Sequence, residues 1–248
     1  MEVRVFDEPA DLGCFAAEQV IAAITEKPDA VIGLATGSSP LPLYRAWADI
    51  ARERGLDLSQ VRGFALDEYA GIDPAHPESY HTVVTQTVVE PVGLTPELVA
   101  VPDADASAES AAAYEAAIAA AGGIDVQILG IGRNGHLGFN EPGSPLDSRT
   151  RKVQLTAETI TDNARFFDSE ADVPTEAITQ GLGTIMDARK LVIVAVGEAK
   201  AAAVAAAIHG PVTERVPASI AQRHANVVYV LDAAAASQLP ARSVTAEV

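Results

Sequence analysis

Residues 130–142 read Gly-Ile-Gly-Arg-Asn-Gly-His-Leu-Gly-Phe-Asn-Glu-Pro and directly follow the run Val-Gln-Ile-Leu at residues 126–129. The run predicts a buried strand, and the glycines after it predict a loop rather than a helix. Asn134, His136 and Glu141 bring an amide, an imidazole and a carboxylate together, on a backbone that glycine leaves free to adopt positive φ. The loop can turn three polar side chains toward one point. A carboxylate that fixes the tautomer of an imidazole is typical of a proton-transfer histidine.

Gly130, Gly132 and Gly135 also match the G-x-G-x-x-G spacing of a dinucleotide-binding turn. That turn requires a helix starting at the third glycine and an acidic residue about 20 positions later. Further glycines and prolines, beginning with Gly138 and Pro142, follow here and rule out such a helix. The spacing therefore does not indicate dinucleotide binding. A plain glycine turn with a surface histidine is the other alternative, and the flanking Asn and Glu disfavour it.

Segments of strand and helix character alternate along the chain. Strand-like runs occupy residues 31–34, 61–66, 98–101, 126–129, 152–155, 191–196 and 227–231. Helix-like segments occupy residues 11–26, 41–54, 78–90, 107–121, 156–167 and 197–208. Because strands that alternate with helices form parallel sheets, we predict an α/β fold, a single Rossmann-like, three-layer domain over residues 1–248 with a mainly parallel sheet.

Composition narrows the class of protein. The 248 residues are 48% hydrophobic, which suffices for a large buried core, and 17 basic against 34 acidic residues give a net charge of −17. This charge argues against a nucleic-acid partner. No apolar run approaches the roughly 20 residues of a membrane span, and residues 1–4 lack the apolar core of a signal peptide, so we expect a cytoplasmic protein. The single cysteine, Cys14, is expected to be a small core residue of a helix.

Two further segments place polar residues at the ends of predicted strands. Residues 35–40, Ala-Thr-Gly-Ser-Ser-Pro, stand between a strand and a helix, where free backbone N–H groups bind anions. They favour a phosphate site over an ordinary Ser-capped turn. Asp67 follows the strand at 61–66. Since the ligand crevice of a parallel sheet lies beyond the carboxyl ends of its strands, Asp67 is a candidate catalytic carboxylate, with turn capping as the alternative.

These residues resemble the glucosamine-6-phosphate deaminases, whose fold is shared with 6-phosphogluconolactonases. The resemblance covers most of the chain. It rests on ATGSSP (35–40), LDEY (66–69), HPESY (76–80), GIGRNGHLGFNEP (130–142), SRTR (148–151), ARFF (164–167) and VPASIAQRH (216–224). Lactonases are similar at the phosphate loop and have a Gly-His pair, but they lack the H-x-x-F-N-E-P continuation and the D-E-Y segment followed by H-P-E-S-Y.

The resemblance implies conversion of glucosamine 6-phosphate and water to fructose 6-phosphate and ammonia, with no metal and no organic cofactor. His136 would open the pyranose by taking a proton from the anomeric hydroxyl and delivering one to the ring oxygen. Glu141 and Asn134 would hold its imidazole ring. Asp67 would then move a proton from C2 to C1. We expect Asp67 to be partly desolvated, because a free aspartate is a weak base.

The phosphate would be held by the loop at residues 35–40 and by two cations. The predicted ligands are Thr36, Gly37, Ser38, Ser39, Arg165 and Lys200. Arg165 would act as a fork and Lys200 as a point charge. Arg165 lies in a polar segment that we predict to belong to a mobile lid around residues 156–183. The expected partner is a small sugar phosphate, with neither nucleic acid nor membrane, and the sequence is compatible with a homo-oligomer.

Two positions depart from the pattern of the family. Some members have Asp where this chain has Asn134, which leaves the pH optimum open.

Some relatives are activated by N-acetylglucosamine 6-phosphate at an intersubunit site built from a serine after the N-E-P turn and an Arg-x-Lys pair. This chain keeps Ser144 and Arg151, but its lysine is Lys152, and residue 153 is a valine. Side chains alternate along a strand, so this ammonium should point away from the site, and we predict no activation.

Other functions stay open at this point. A sugar-phosphate lactonase or hydrolase needs only His136 as the base for water, and a sugar-phosphate sensor would bind without chemistry. Regulators with this fold carry a helix-turn-helix segment, for which 248 residues are expected to leave no room. A serine hydrolase is disfavoured because the sequence has no G-x-S-x-G segment. A zinc site is disfavoured because no second histidine stands at ligand spacing from His136.

Overall fold

The computed structural model describes residues 1–240 and 245–246, so residues 241–244 and 247–248 of the predicted domain lie outside the described residues. The strands are β1 (Glu2–Phe6), β2 (Val31–Leu34), β3 (Arg62–Ala65), β4 (Asp67–Tyr69), β5 (Val99–Ala100), β6 (Val126–Gly130), β7 (Arg151–Gln154), β8 (Glu176–Thr179), β9 (Leu191–Ala195), β10 (Val227–Asp232) and β11 (Thr245–Ala246). The α-helices are α1 (Pro9–Glu26), α2 (Leu41–Arg54), α3 (Tyr80–Val84), α4 (Glu90–Val92), α5 (Ala108–Ala120), α6 (Ala157–Asn163), α7 (Leu182–Met186) and α8 (Ala201–His209). Short 3₁₀ turns at Ala164–Phe166 and Glu198–Lys200 extend α6 and precede α8.

The main sheet has the strand order β11-β1-β10-β9-β6-β2-β3-β5, and every neighbouring pair in it is parallel. Helices cover both of its faces. The predicted α/β class with a mainly parallel sheet is therefore confirmed. Every residue of β2 and of β9 is buried, and the sequence of β9 is Leu-Val-Ile-Val-Ala. A strand covered by helices on both faces can carry apolar side chains on both sides, which explains why β9 shows no alternation.

A second, smaller sheet was not predicted. It has the order β4-β8-β7, and both of its strand pairs are antiparallel. The chain passes from the main sheet to the small one at Leu66. The N–H of Leu66 donates to the carbonyl of Leu34 in β2 (2.9 Å), and its own carbonyl accepts from the N–H of Gln180, which follows β8 (2.7 Å). Asp67 therefore begins a strand of the small sheet and does not simply end a strand of the main one.

A small apolar cluster supports this second sheet. Its buried members are Tyr69, Phe139, Leu155 and Ala177, and Tyr80 and Phe167 are among the partly buried residues packed against it. The rings of Tyr69 and Phe139 lie 5.5 Å apart between centroids, and those of Tyr69 and Phe167 lie 5.6 Å apart in an edge-to-face arrangement. The cluster packs the small sheet against residues of the 130–142 loop and of the segment after α6.

Three local predictions differ from the structure. Cys14 is exposed, so its prediction as a core residue is wrong. The buried face of α1 is formed by residues at helical spacing that include Leu12, Ala16 and Val20, and Cys14 lies outside this face. The helix predicted at 78–90 is divided into α3, a wider π-helical turn at Thr85–Val89, and α4. The helix predicted at 156–167 ends at Asn163, and Arg165 lies in the 3₁₀ turn that follows.

Among the residues that the structure describes, no helix is both long and apolar enough to pass through a bilayer.

Candidate functional site

A cavity of about 330 Å³ opens at the carboxyl ends of the central parallel strands. The segments that follow β2, β6 and β9 line this cavity. Strand β4, which comes directly after β3 in the chain, lines it too. Eight of the ten predicted site residues line this cavity: Thr36, Gly37, Ser38, Ser39, Asp67, His136, Arg165 and Lys200. The other two, Asn134 and Glu141, lie behind His136 and contact it. Parallel strands bring their carboxyl ends to one edge, and this edge collects residues that are far apart in the sequence.

One end of the cavity is suited to an anion. The loop at residues 35–40 enters it directly after β2, and a buried tyrosine that the sequence analysis did not single out holds the start of this loop. The hydroxyl of Tyr44 donates to the carbonyl of Ala35 (2.8 Å) and accepts from its N–H (2.9 Å). A ring fixed inside α2 therefore anchors the backbone just before the two serines.

Two cations face the same end. Lys200 is half-buried at the close of the turn before α8, and burial lowers the pKa of its ammonium. The nearby Asp162 opposes this shift, while the charges of Arg133 and Arg165 add to it. The guanidinium of Arg165 is exposed and lies 4.6 Å from the centre of the Phe166 ring, a cation–π contact. An anion placed between Lys200 and Arg165 would stabilise both charges, because a buried cation lacks the solvation that water provides.

Asp67 lies in the cavity wall with only 4% of its surface exposed. Burial is the main cause that raises the pKa of this carboxyl to about 8, and the charge of neighbouring Glu68 raises it further. Hydrogen bonding to the Thr179 hydroxyl and the Phe139 N–H opposes the rise. Gly138, with φ +55°, allows this close packing, because a Cβ atom there would lie 3.1 Å from Oδ2 of Asp67. The structure thus provides a carboxylate of raised basicity next to the cavity, as expected from desolvation.

His136 and Glu141 form a pair at the cavity wall. Nδ1 of His136 lies 3.5 Å from Oε2 of Glu141, and the same oxygen accepts a hydrogen bond from Nδ2 of Asn134 (2.8 Å). Asn134 was expected to hold the imidazole. Instead, its amide holds the carboxylate, while its Oδ1 accepts from the backbone N–H of His136 (3.1 Å). Gly132 lies against the imidazole, since a Cβ atom there would approach the ring to 2.3 Å.

The second oxygen of Glu141 faces the other way, toward α6. Oε1 accepts hydrogen bonds from the hydroxyls of Thr159 and of Thr156, the latter at 3.2 Å. Burial by itself would raise the pKa of Glu141, but the close contact and charge of His136, followed by the donors Thr159 and Asn134, outweigh it and lower the pKa to about 2. The carboxylate is thus held in its ionised form. Thr156 and Thr159 were not identified from the sequence, where they look like ordinary residues of a polar helix start.

Glu68 and two tyrosines form another group that the sequence did not reveal as such. The buried carboxylate of Glu68 accepts from the backbone N–H groups of Tyr69 (2.8 Å), Tyr80 (2.9 Å) and His81 (3.0 Å). It fixes the start of α3 against β4, as expected of an acidic group at a helix N-terminus. Both tyrosines line the cavity, and the Tyr69 hydroxyl accepts from Nδ2 of Asn163 in α6 (2.9 Å). The sequence analysis named these residues only as parts of the LDEY (66–69) and HPESY (76–80) segments and did not predict that they meet.

The described part of the chain contains no group of three or more His, Cys, Asp or Glu side chains placed to hold a metal ion.

The fold and this cavity define an α/β protein whose candidate active site combines an anion-binding loop, a buried basic carboxylate and a His–Glu pair. Residues 10–230 match the family model described as glucosamine-6-phosphate isomerases/6-phosphogluconolactonase. The chain therefore belongs to this family.

Curated relatives and solved structures agree with that assignment. The chain is 52% identical over 241 residues to a glucosamine-6-phosphate deaminase of Rhodococcus opacus (strain B4), covering 96% of this chain and 93% of the relative. It is 51% identical over 249 residues to the enzyme of that name from Bifidobacterium longum (strain NCC 2705), covering 96% and 92%. A solved monomeric glucosamine-6-phosphate deaminase superposes with a TM-score of 0.93 at 36% identity, covering 96% of this chain and all of the other. A 6-phosphogluconolactonase from Trypanosoma cruzi, at 21% identity and a TM-score of 0.75 over 96% of both chains, shares the fold.

Proposed function

We propose that this protein is a glucosamine-6-phosphate deaminase, which converts glucosamine 6-phosphate and water to fructose 6-phosphate and ammonia. The observation that carries the proposal is the presence, on the wall of one cavity, of a buried carboxylate with raised pKa, Asp67, and a His136–Glu141 pair. The reaction has two proton transfers at different atoms of the sugar, and these two groups match them. The names of relatives about half identical to the chain support the same conclusion.

The first transfer opens the pyranose ring. His136 takes the proton of the anomeric hydroxyl and returns a proton to the ring oxygen as the C1–O5 bond breaks, which leaves an aldehyde at C1 and a hydroxyl at C5. An imidazole suits this exchange because it can hold and release a proton near neutral pH. The ionised carboxylate of Glu141, 3.5 Å from Nδ1, stabilises the imidazolium that forms between the two steps.

The second transfer takes place on the open sugar. Asp67 removes the proton from C2, which gives an enolamine, and a proton then returns to C1. The resulting iminium at C2 adds water and releases ammonia, which leaves the ketone of fructose 6-phosphate. A carbon acid needs a stronger base than an ordinary carboxylate, and the burial of Asp67 raises its pKa to about 8 for this task.

The phosphate would lie at the end of the cavity formed by the loop at 35–40, Lys200 and Arg165. The loop supplies N–H groups and hydroxyls, Lys200 a half-buried charge, and Arg165 a planar guanidinium. We take residues 1–248 as one domain and propose that the first part of the lid predicted at 156–183, namely α6 and the turn that carries Arg165, is mobile. The last part of that range is excluded, because Glu176–Thr179 is the central strand of the small sheet and pairs with Asp67–Tyr69. Arg165 on this lid would engage the phosphate and close the cavity to water.

Two broader expectations concern where the protein acts and how it assembles. An ionised sugar phosphate does not cross a bilayer unaided, and the described residues contain no helix able to span one, so we infer a cytoplasmic location. A homo-oligomer stays a prediction, and light scattering of the purified protein at several concentrations would test it.

One assay tests the proposed function. The metal-stripped protein is incubated with glucosamine 6-phosphate, and ammonia and fructose 6-phosphate are measured separately. Equal amounts of both products are expected. Parallel incubation with 6-phosphogluconolactone tests the lactonase alternative, which predicts hydrolysis of the lactone and no ammonia. Saturable binding of glucosamine 6-phosphate without any product would instead support a sensor.

A further inference from the structure

The two oxygens of Glu141 contact different parts of the molecule. Oε2 faces the 130–142 loop, where it lies 2.8 Å from Nδ2 of Asn134 and 3.5 Å from Nδ1 of His136. Oε1 faces the N-terminus of α6, where it accepts from the hydroxyls of Thr159 and Thr156. One carboxylate therefore bridges the proposed proton-transfer histidine and the helix of the proposed lid. Hydrogen bonds to an ionised carboxylate are stronger than those between neutral groups, so both sides of the bridge influence where the carboxylate lies.

The two threonines have different roles in this contact. The hydroxyl of Thr156 accepts from the backbone N–H of Thr159 (3.2 Å), which makes Thr156 the N-cap of α6 as well as a donor to Glu141. The capping hydrogen bond comes from the backbone N–H of Thr159, and the Thr159 hydroxyl takes no part in it, although it lies 3.3 Å from the Thr156 hydroxyl. The side chain of Thr159 is 3% exposed and lines the cavity. A substitution that removes this hydroxyl and keeps the shape therefore tests the contact with Glu141 while the cap stays intact.

The other end of α6 approaches the proposed phosphate site. Asn163 in its last turn donates to the Tyr69 hydroxyl (2.9 Å), and the next turn carries Arg165 and Phe166 at the cavity. An ion pair between Asp162 and Arg133 of the 130–142 loop adds a further contact on the exposed side. A single short helix thus joins the groups expected to bind phosphate to the carboxylate that supports His136. When α6 lies against the loop, both ends are engaged together.

We propose that Thr159 is a positioning residue, whose hydroxyl links the docking of α6 over the cavity to the orientation of Glu141 and, through it, of His136. Ring opening is then fully active only when α6 is docked, which would coordinate phosphate recognition with the first chemical step. The inference rests on the proposed function and deepens it. A merely structural role for Thr159 predicts a general loss of stability or of both chemical steps, whereas the proposed role affects the histidine step alone.

The test compares Thr159→Val, which is isosteric and lacks the donor, with Thr159→Ser, which keeps it. Each variant is assayed with glucosamine 6-phosphate and with its 4,5-dideoxy analogue, which lacks both hydroxyls that could close a ring and so bypasses ring opening. For the analogue, exchange of the C2 proton with solvent is followed by NMR. Binding of the corresponding amino-sugar alcohol phosphate, which has no aldehyde, is measured by calorimetry as a check on folding and on the phosphate site.

Thr159→Val is expected to lower kcat with glucosamine 6-phosphate by roughly tenfold or more, the size expected for the loss of one hydrogen bond to a charged group. Exchange with the dideoxy analogue and the affinity for the sugar alcohol phosphate should stay within about twofold of wild type. Thr159→Ser should restore most of the lost rate. Arg133→Gln removes another contact between the same loop and α6 without touching Glu141, and it should leave the ratio of the two activities unchanged.

Equal losses with both substrates in Thr159→Val, or no loss with either, would overturn the assignment. So would a Thr159→Ser variant as impaired as Thr159→Val. Failure of the proposed function looks different, because the wild-type protein itself would then neither release ammonia from glucosamine 6-phosphate nor exchange the C2 proton of the analogue.

Discussion

Asp67 and Thr179 face each other as a register pair of the antiparallel strands β4 and β8, with Oγ1 of Thr179 3.5 Å from Oδ2 of Asp67. This contact is long for a hydrogen bond between oxygens, and the threonine hydroxyl also lies 3.3 Å from the carbonyl of Gln180. The carboxylate is therefore buried with little compensation for its charge. Such a group holds its proton more tightly than an exposed aspartate, which is the property that a base for a carbon acid requires.

Asp67→Asn should lower kcat for deamination by about 10² to 10⁴, because it removes the base and keeps the shape of the side chain. Affinity for the amino-sugar alcohol phosphate should change little, since the proposed base acts at C2 and is not among the predicted phosphate ligands. Steady-state kinetics and calorimetry measure the two effects. Asp49→Asn, at an exposed position of α2, is the matched control and should retain wild-type rates. More than half of the wild-type kcat in Asp67→Asn would rule out the role.

The rate should depend on pH in a way set by Asp67. Burial first, and the charge of Glu68 second, raise its pKa to about 8, so the base is ionised only toward that pH. We expect kcat/KM to rise with pH, and the midpoint of this rise should lie near 8, well above the usual range for a carboxyl group. The curve must first be corrected for titration of the substrate's own amine and phosphate. The tyrosines Tyr69, Tyr80 and Tyr114, which also face Asp67, are neutral in this range because burial raises the pKa of each. An acid limb below about pH 5 would contradict this assignment.

Stability should respond to pH in the opposite sense. In the unfolded chain the pKa of Asp67 is about 3.9, and in the folded protein it is about 8, so the folded state holds a proton that the unfolded state has lost. The contribution of this bound proton to the free energy of unfolding is fully present below about pH 4 and is lost as the pH rises through about 8. Asp67→Asn has no such loss. The free energy of unfolding of the variant in urea, minus that of wild type, should therefore grow by up to a few kcal/mol between about pH 5.5 and 9. A constant difference would be the contrary result.

His136→Gln should slow turnover of glucosamine 6-phosphate, because ring opening loses its proton carrier. Exchange of the C2 proton in the 4,5-dideoxy analogue should persist, since that step uses Asp67. NMR of the analogue in deuterated buffer measures the exchange directly. His76→Gln, at an exposed position that stacks on Phe167 and does not line the cavity, serves as the control for a histidine that takes no part in the proton transfers. If His136→Gln reduces both reactions equally, the division of labour between His136 and Asp67 is wrong.

Activation by N-acetylglucosamine 6-phosphate is not expected. Arg151 and Lys152 are successive residues of β7, and their side chains take opposite sides, with Arg151 donating to Oδ1 of Asn140 (2.8 Å) and Lys152 paired with Glu176 (2.5 Å). Both cations are engaged, and they do not face one point. Rate curves should be hyperbolic and unchanged by the acetylated sugar phosphate. A sigmoidal curve that becomes hyperbolic when the compound is added would contradict this prediction.

Much of the fold could be predicted because its signals are local. The bounds of β2 and α2 agree with the sequence prediction, since four apolar residues mark the strand and a proline and a glycine lie at the two ends of the helix. In the 130–142 loop, Asn134 and Glu141 both reach His136 because Gly135 and Gly138, at positive φ, turn the chain back on itself. The small sheet was missed because its strands have only three or four residues and pair across long distances in the chain.

The sequence by itself determined which chemical groups this protein has and roughly where each stands: an imidazole between an amide and a carboxylate, hydroxyls and a glycine before a helix, and an aspartate after a strand. Only the tertiary structure decided how those groups behave. Asp67 owes its raised pKa to burial where β4 pairs with β8, whose Thr179 is 112 residues away in the chain, and Glu141 is held by Thr159, 18 residues away. The physical reason is that the type of a group is covalent and local, whereas solvation and hydrogen bonding depend on which distant segments pack around it.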